Sequence, residues 1–129
     1  MKYNPADADA YLLQDGWYPA SIIQAEDTVS KKSGNPMMDV TFEVLAAGHP
    51  TGRVWIHDYF VANNQGHMTK FRKLCRAVGV EFDAGEVEPR NLVGLDLSIM
   101  VKTQEDERGV YDPKNVAAGY RKSGEDEAV

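Results

Sequence analysis

The clearest pattern along the chain is an alternation of apolar and polar residues that begins near residue 37. One parity carries four apolar side chains, Met38, Val40, Phe42 and Val44. Polar side chains fill most of the positions between them, so that one face of the segment is apolar and the other is wet. The pattern predicts a half-buried β-strand from about Met37 to Ala46.

Similar reasoning predicts four more strands, because β-branched and aromatic residues concentrate between segments rich in turn-forming residues. The predicted strands are Gly16–Asp27, Arg53–Val61, Leu95–Thr103 and a short one at about Val116–Lys122.

A helix is predicted between the third and fourth strands, since apolar residues recur there at helical spacing. Its apolar stripe consists of Met68, Phe71, Leu74, Cys75 and Val78. Asn63 or Asn64 fits the cap at its start, and Gly79 fits the position just past its end. One further helical turn is expected after Pro89. Cys75 is most simply a core residue.

Three strands, one helix and two strands follow one another in the chain order of an OB-fold. We therefore predict a mainly β protein, an OB-fold-like five-stranded antiparallel barrel with one helix between strands 3 and 4. Other small antiparallel barrels are alternatives. The predicted division of the chain is an N-terminal arm (1–15), the OB-fold-like domain (16–122) and an acidic C-terminal tail (123–129).

The charge of the chain is unevenly distributed. The 129 residues carry a net charge of −6, of which −2 falls in residues 1–15 and −3 in residues 123–129. Residues 16–122 therefore carry only −1, which leaves room for a basic face on the domain. A single cysteine and the lack of a long apolar run predict a cytoplasmic protein without a membrane segment.

Signatures of catalysis are weak. His49, His57 and His67 do not have the close spacing of a zinc motif, and no glycine-rich phosphate loop precedes a helix. We therefore expect no enzyme activity and no cofactor. A metal held by His57, Asp58 and His67 is a minor alternative.

Residues suited to nucleic acid are more frequent. A turn between the first two strands carries adjacent lysines, and the third strand has rings and cations on one parity. Rings stack on bases and cations neutralise phosphates. The candidate contacts are Lys31, Lys32, Arg53, Trp55, His57, Tyr59, Arg108, Tyr111, Lys114, Tyr120 and Arg121.

Two alternatives limit this interpretation. The parity of the third strand could be inverted, with Trp55 and Tyr59 in the core, since register is not fixed by sequence. Lys70, Lys73 and Arg76 on the helix are either further contacts or an ordinary solvated face. Trp17 is expected in the core.

Long segments of the chain resemble a known family. They are LLQDGWYPASIIQAEDTVSKKSGNPMMDVTFEV, GRVWIHDYFV, the helix ending LCRAVGV, and NLVGLDLSIMVKTQEDERGVYDPKNVAAGYRK. Together they span about residues 12–122, and the most specific pieces are the SKKSGNPM turn and the ending at Val116, Tyr120 and Arg121. The chain resembles small phage-encoded proteins, formerly a domain of unknown function, regarded as single-stranded DNA-binding proteins with an OB-like fold.

This resemblance implies non-sequence-specific binding of single-stranded DNA in phage DNA replication or recombination, with Lys31, Lys32 and the strand-three aromatics as contacts. The acidic tip GEDEAV resembles tails that recruit replication or recombination proteins, although it lacks the terminal aromatic residue of the bacterial tail. The expected location is the cytoplasm of the host cell. A protein-interaction or assembly factor of a phage on the same barrel is the alternative, and formation of a homo-oligomer is left open.

Overall fold

The computed structural model describes residues 1–5 and 12–124, so residues 6–11 of the N-terminal arm and residues 125–129 of the acidic tail lie outside the described residues. The strands are β1 (Gly16–Val29), β2 (Pro36–Leu45), β3 (Arg53–Val61), β4 (Asp96–Gln104) and β5 (Lys114–Arg121). Helix α1 (Gln65–Val78) lies between β3 and β4, and a 3₁₀ turn (Pro89–Asn91) follows it. The predicted class and element order are confirmed, and each predicted strand end lies within two residues of its observed position.

All five strands form one antiparallel sheet in the order β3-β2-β1-β4-β5. The 14 residues of β1 serve two neighbours, because residues 16–21 pair with β4 and residues 20–29 pair with β2. The register shifts between Ile22 and Gln24, and such a bulge bends a strand and increases its twist. This bend turns the two halves of the sheet around a common core.

The sheet does not close into the predicted barrel, because β3 and β5 share no backbone ladder and stand as its edges. Side chains bridge them instead. Lys70 Nζ lies 2.7 Å from Asp58 Oδ2 and donates to the carbonyl of Ala117 at 2.7 Å, while the Tyr120 hydroxyl donates to Asp58. We call Asp58, Lys70 and Tyr120 the polar clasp. It accounts for an aspartate on the apolar parity of β3.

The core lies between the inner face of the sheet and helix α1. Phe42 and Phe60 are almost fully buried on the strands, and Phe71, Leu74 and Cys75 are buried on the helix. Cys75 is fully buried, which confirms its prediction as a core residue. This burial raises the pKa of its thiol to about 11.

The helix begins and ends at the predicted caps. Asn64 accepts a hydrogen bond from the His67 amide at 3.0 Å, and Gly79 takes φ 77° just past the last turn. Neither helical segment in the described part of the chain has the length and hydropathy that a membrane span requires.

The described end of the predicted arm belongs to the domain. Leu13 is buried in the core, and its amide donates to Asn115 Oδ1 at 2.9 Å. Asp15 accepts from the Thr103 amide at 3.0 Å. Residues 12–15 therefore fix the start of β1 against β4 and β5.

Candidate nucleic-acid interface

The outer face of β3 carries a row of exposed rings. Trp55 is 64% exposed and Tyr59 is 57% exposed, whereas Ile56 and Phe60 on the other parity are buried. The predicted orientation of β3 is confirmed, and the inverted alternative is wrong. We call Trp55, His57 and Tyr59 the ring row.

Neighbouring groups hold two members of the ring row in place. His57 Nδ1 lies 2.9 Å from the Thr41 hydroxyl on β2. The Tyr59 ring meets His67 edge-on with 5.8 Å between ring centroids. His67 Nδ1 accepts from the Val61 amide at 3.0 Å, which leaves Nε2 to carry the proton of the neutral ring. Through His67, the first turn of α1 thereby packs against the Tyr59 end of the ring row.

A groove of about 320 Å³ runs between β3 and β5 beneath the helix start. We call it the ring groove. It brings together three predicted residues, His57, Tyr59 and Lys114, and adds His67 and Lys70 from α1. Lys70 is neutralised by Asp58 at 2.7 Å, so Lys114 is the free cation of this lining.

The groove does not have the arrangement of a metal site. Asp58 is engaged by Lys70 and Tyr120, and His67 Nδ1 by the Val61 amide. Among the described residues, no three His, Cys, Asp and Glu side chains are grouped to hold a metal ion.

The β2 side of the ring row is acidic. Glu43 lies opposite Trp55, and Asp39 lies opposite Tyr59 in the antiparallel register. Arg53, a predicted contact that is exposed, pairs with Glu43 at 3.1 Å, so that these two charges offset each other at the Trp55 end. A polyanion bound on the ring row is therefore expected to extend away from β2, toward α1 and β5.

The two predicted lysines lie at the tip of the β1–β2 hairpin. Hydrogen bonds from Ser30 N to Asn35 O and from Gly34 N to Ser30 O close this turn, and Gly34 takes φ 74°. Lys31 and Lys32 are exposed. Because Met37 pairs with Val61, the tip extends beyond the Tyr59 end of the ring row.

The β4–β5 loop presents Arg108 and Tyr111 around a cavity of about 640 Å³. Its lining also contains Glu105, Asp106, Glu107 and Asp112. Asp106 accepts hydrogen bonds from the amides of Tyr111 and Val110, which lower its pKa. The loop is thus locally acidic, and its Arg108 is a weaker candidate than Lys114 at its base.

The last two predicted contacts, Tyr120 and Arg121, lie in different environments. Tyr120 is buried in the core at 6% exposure, so its ring offers no surface for a base and it leaves the candidate set. Arg121 lies on the outer face, with its guanidinium carbon 3.9 Å from the centroid of the Trp17 ring. Trp17 is half-buried outside the core cluster, which corrects its expected place in the core.

One basic site was not predicted as a unit. A groove of about 240 Å³ between α1 and the end of β5 is lined by Lys73, Arg76, Ala77, Tyr120, Arg121 and Lys122. We call its four cations the basic seam. The spacing of lysines along the helix and the YRK ending are visible in the sequence, but only the packing of α1 on β5 brings them together.

A family model described as "Protein of unknown function (DUF669)" matches residues 2–128. The chain belongs to this family. No curated protein matches it. In this DUF669 protein the matched range includes all five strands and α1, together with the ring row and the basic seam. The family description carries no activity, and so the functional argument rests on the geometry of these surfaces.

Proposed function

We propose that this protein binds single-stranded DNA without sequence preference, as an OB-like protein of phage DNA replication or recombination. The observation that carries the proposal is the ring row, two large aromatic side chains more than half exposed on one face of β3. An exposed tryptophan or tyrosine places an apolar ring in water and does not stabilise the core. Stacking on bases is a function that explains why both rings are exposed.

The spacing of the rings suits an extended strand. Trp55 and Tyr59 are four residues apart on β3, about 13 Å at the usual rise of a strand. Each ring can therefore take a different base, with His57 between them. Every base has a π-face, so such stacking discriminates little between sequences.

The position of the ring row also supports the proposal. In an OB-fold the ligand lies across strands 2 and 3 between the loops that join strands 1–2 and 4–5. The corresponding loops here carry Lys31 and Lys32 on one side and lead to Lys114 on the other. Cations from both loops near the Tyr59 end of the ring row supply phosphate contacts of the kind that non-specific binding needs.

Titration of a fluorescent oligo-dT with the protein tests the proposal. We expect binding that weakens steeply with salt, and a loss of about 5- to 150-fold for Trp55→Ala or Tyr59→Ala, from about 1–3 kcal/mol of stacking per base. Tyr3→Ala removes another exposed ring and serves as the matched control. Absence of binding at low salt would falsify the proposal.

Intrinsic fluorescence gives an independent measurement. The chain has two tryptophans, and Trp17→Phe leaves Trp55 as the only one while keeping a ring beneath Arg121. Stacking of a base on Trp55 is expected to quench its emission during the titration. Unchanged emission at saturation would place the DNA elsewhere on the protein.

A protein-binding function is a second candidate, favoured by the Asp39 carboxylate opposite Tyr59. Aromatic residues are enriched in protein interfaces, and carboxylates repel phosphates. A pull-down with and without nuclease separates the candidates. Partners that persist after nuclease and are lost in Trp55→Ala support an assembly factor, whereas partners lost with nuclease support DNA binding.

A further inference from the structure

The basic seam gathers four positive side chains around one groove without an acidic residue in its lining. Lys73 and Arg76 come from α1, Arg121 is the last residue of β5, and Lys122 follows it. Lys73, Arg76 and Lys122 are exposed, and Arg121 is half-buried. Like charges repel when they are brought close, so this grouping stabilises the fold less than dispersed charges would.

Two cations elsewhere in the described structure are paired with carboxylates. Arg53 pairs with Glu43 at 3.1 Å, and Lys70 pairs with Asp58 at 2.7 Å. No ion pair within the described residues involves any of the four seam cations. The positive charge of the seam is therefore not neutralised by ion pairs among the described residues, although the net charge of the protein is −6.

Arg121, which lines this groove, is restrained by a neighbouring ring. Its guanidinium lies over the Trp17 ring at 3.9 Å, an arrangement that restricts the side chain without neutralising its charge. Its buried Nε has no hydrogen-bond partner among the described residues. Trp17 itself lies over Gly119, where an added Cβ would stand 3.6 Å from the indole. A fixed guanidinium loses little freedom when it binds an anion.

The seam continues the ring groove along the same two elements. Lys114, Lys70 and Ala117 line the ring groove, and Lys73, Tyr120 and Arg121 line the seam farther along both α1 and β5. From Lys114 to Lys122 the distance is about 26 Å at the rise of a strand. A bound strand can therefore pass from the ring row into the seam without crossing the acidic β2 side.

We propose that the basic seam is a second part of the DNA site, which binds consecutive backbone phosphates of the strand whose bases stack on the ring row. This inference rests on the proposed function and departs from the β2–β3 groove expected for an OB-fold, because it sends the strand along α1 and β5. Lys73 and Arg76 neutralise phosphates at the helix, and Arg121 and Lys122 do so from the opposite wall.

The test compares two double variants that lose the same charge. Lys73→Ala with Arg76→Ala removes half of the seam, and Arg72→Ala with Arg90→Ala removes two exposed arginines that line neither groove. Affinity for oligo-dT is measured from 50 mM to 400 mM salt. Circular dichroism and thermal melting check that both variants fold, which is expected because all four side chains are exposed.

The seam variant should lose about 1.4 from the slope of log K against log salt, since each phosphate contact of a single strand contributes about 0.7. Extrapolated from 1 M, this corresponds to about 60-fold weaker binding at 50 mM salt. The control variant should keep the wild-type slope. A wild-type slope in the seam variant overturns the inference and leaves the proposed function standing.

Two further outcomes are decisive. Failure of the wild-type protein to bind oligo-dT removes the proposed function, and this inference with it. A duplex of the same length tests the source of the phosphates, because its bases are not available to the rings. If the seam variant weakens duplex binding and leaves oligo-dT binding unchanged, the seam serves double-stranded DNA and the inference is wrong.

Discussion

Removal of one hydroxyl tests whether the polar clasp stabilises the fold. In Tyr120→Phe the buried ring is kept, and its contact with Phe42 at 5.4 Å between centroids is preserved. The change deletes only the hydrogen bond from Tyr120 to the Asp58 carboxylate. Hydrogen bonds to charged groups contribute about 1.5–3 kcal/mol to stability.

The contribution of the Tyr120–Asp58 hydrogen bond to stability is expected at the low end of that range. Asp58 keeps Lys70 at 2.7 Å, and its side chain retains 17% exposure, so water compensates part of the loss. We expect Tyr120→Phe to lower the free energy of unfolding by about 1.5 kcal/mol. With an m-value of about 1.5 kcal/mol/M, the urea midpoint falls by about 1 M.

Urea denaturation monitored by circular dichroism measures this change, and a double-mutant cycle assigns it. In an Asp58→Ala background the partner is absent, so Tyr120→Phe should cost little or become stabilising by relieving a buried hydroxyl. Equal losses in both backgrounds, or a loss below about 0.3 kcal/mol in the wild type, would refute the role assigned to the bond.

Four other predictions concern separate parts of the molecule. Burial, followed by the charge and hydrogen bond of Asp58, raises the pKa of Tyr120 well above 10. The contribution of Tyr120 to stability is therefore complete below pH 10, where the unfolded chain also keeps the proton, and falls as the pH rises beyond it. Urea denaturation at pH 9 and pH 11 should show this fall in the wild type and a smaller one in Tyr120→Phe. The Cys75 thiol, with a pKa of about 11, should resist iodoacetamide at pH 8 in the native protein and react once per chain in urea, whereas rapid native alkylation would contradict its burial. Gly79→Ala should destabilise by about 1–2 kcal/mol in a thermal melt because φ is 77° there, while an unchanged melting temperature would argue against the left-handed cap. Phe42→Ala should cost about 3–5 kcal/mol in urea, and a cost under 1 kcal/mol would place that ring outside the core.

Local signals predicted the elements well because each is bounded by residues with one strong preference. Asn64 and Gly79 delimit α1, since a side-chain acceptor and a left-handed backbone suit only the ends of a helix. Alternation likewise predicted that Phe42 faces inward, whereas on β3 it left both parities open. These predictions needed no knowledge of distant contacts.

Alternation failed where the ladder is irregular. The register of β5 shifts opposite Met100 and Val101, which leaves Ala118 as an extra residue. Ala117 and Tyr120 consequently both face the core although they are three residues apart. A bulge of this kind leaves little trace in the composition of the strand, and so the sequence gives no sign that Tyr120, a candidate contact, is buried.

Contacts between distant segments were the other source of error. The inward carboxylate of Asp58 is understandable only when Lys70 and Tyr120 are brought to it by the packing of α1 and β5. The basic seam depends on the same packing, because its cations come from residues 73–76 and 121–122. The row on β3 was predictable because its members are close in sequence.

The double pairing of β1 has a consequence for synthesis on the ribosome. β1, β2 and β3 are consecutive and can pair as soon as Val61 has emerged, but the first six residues of β1 must wait for β4, which ends at Gln104. At a translation rate of about 5–20 residues per second, that interval lasts about 2–9 s. During this interval the backbone groups of residues 16–21 that later pair with β4 form an exposed strand edge on the nascent chain. A transcript cut short before the codon for Asp96 would yield a protein that keeps this edge unpaired, and such an edge favours aggregation.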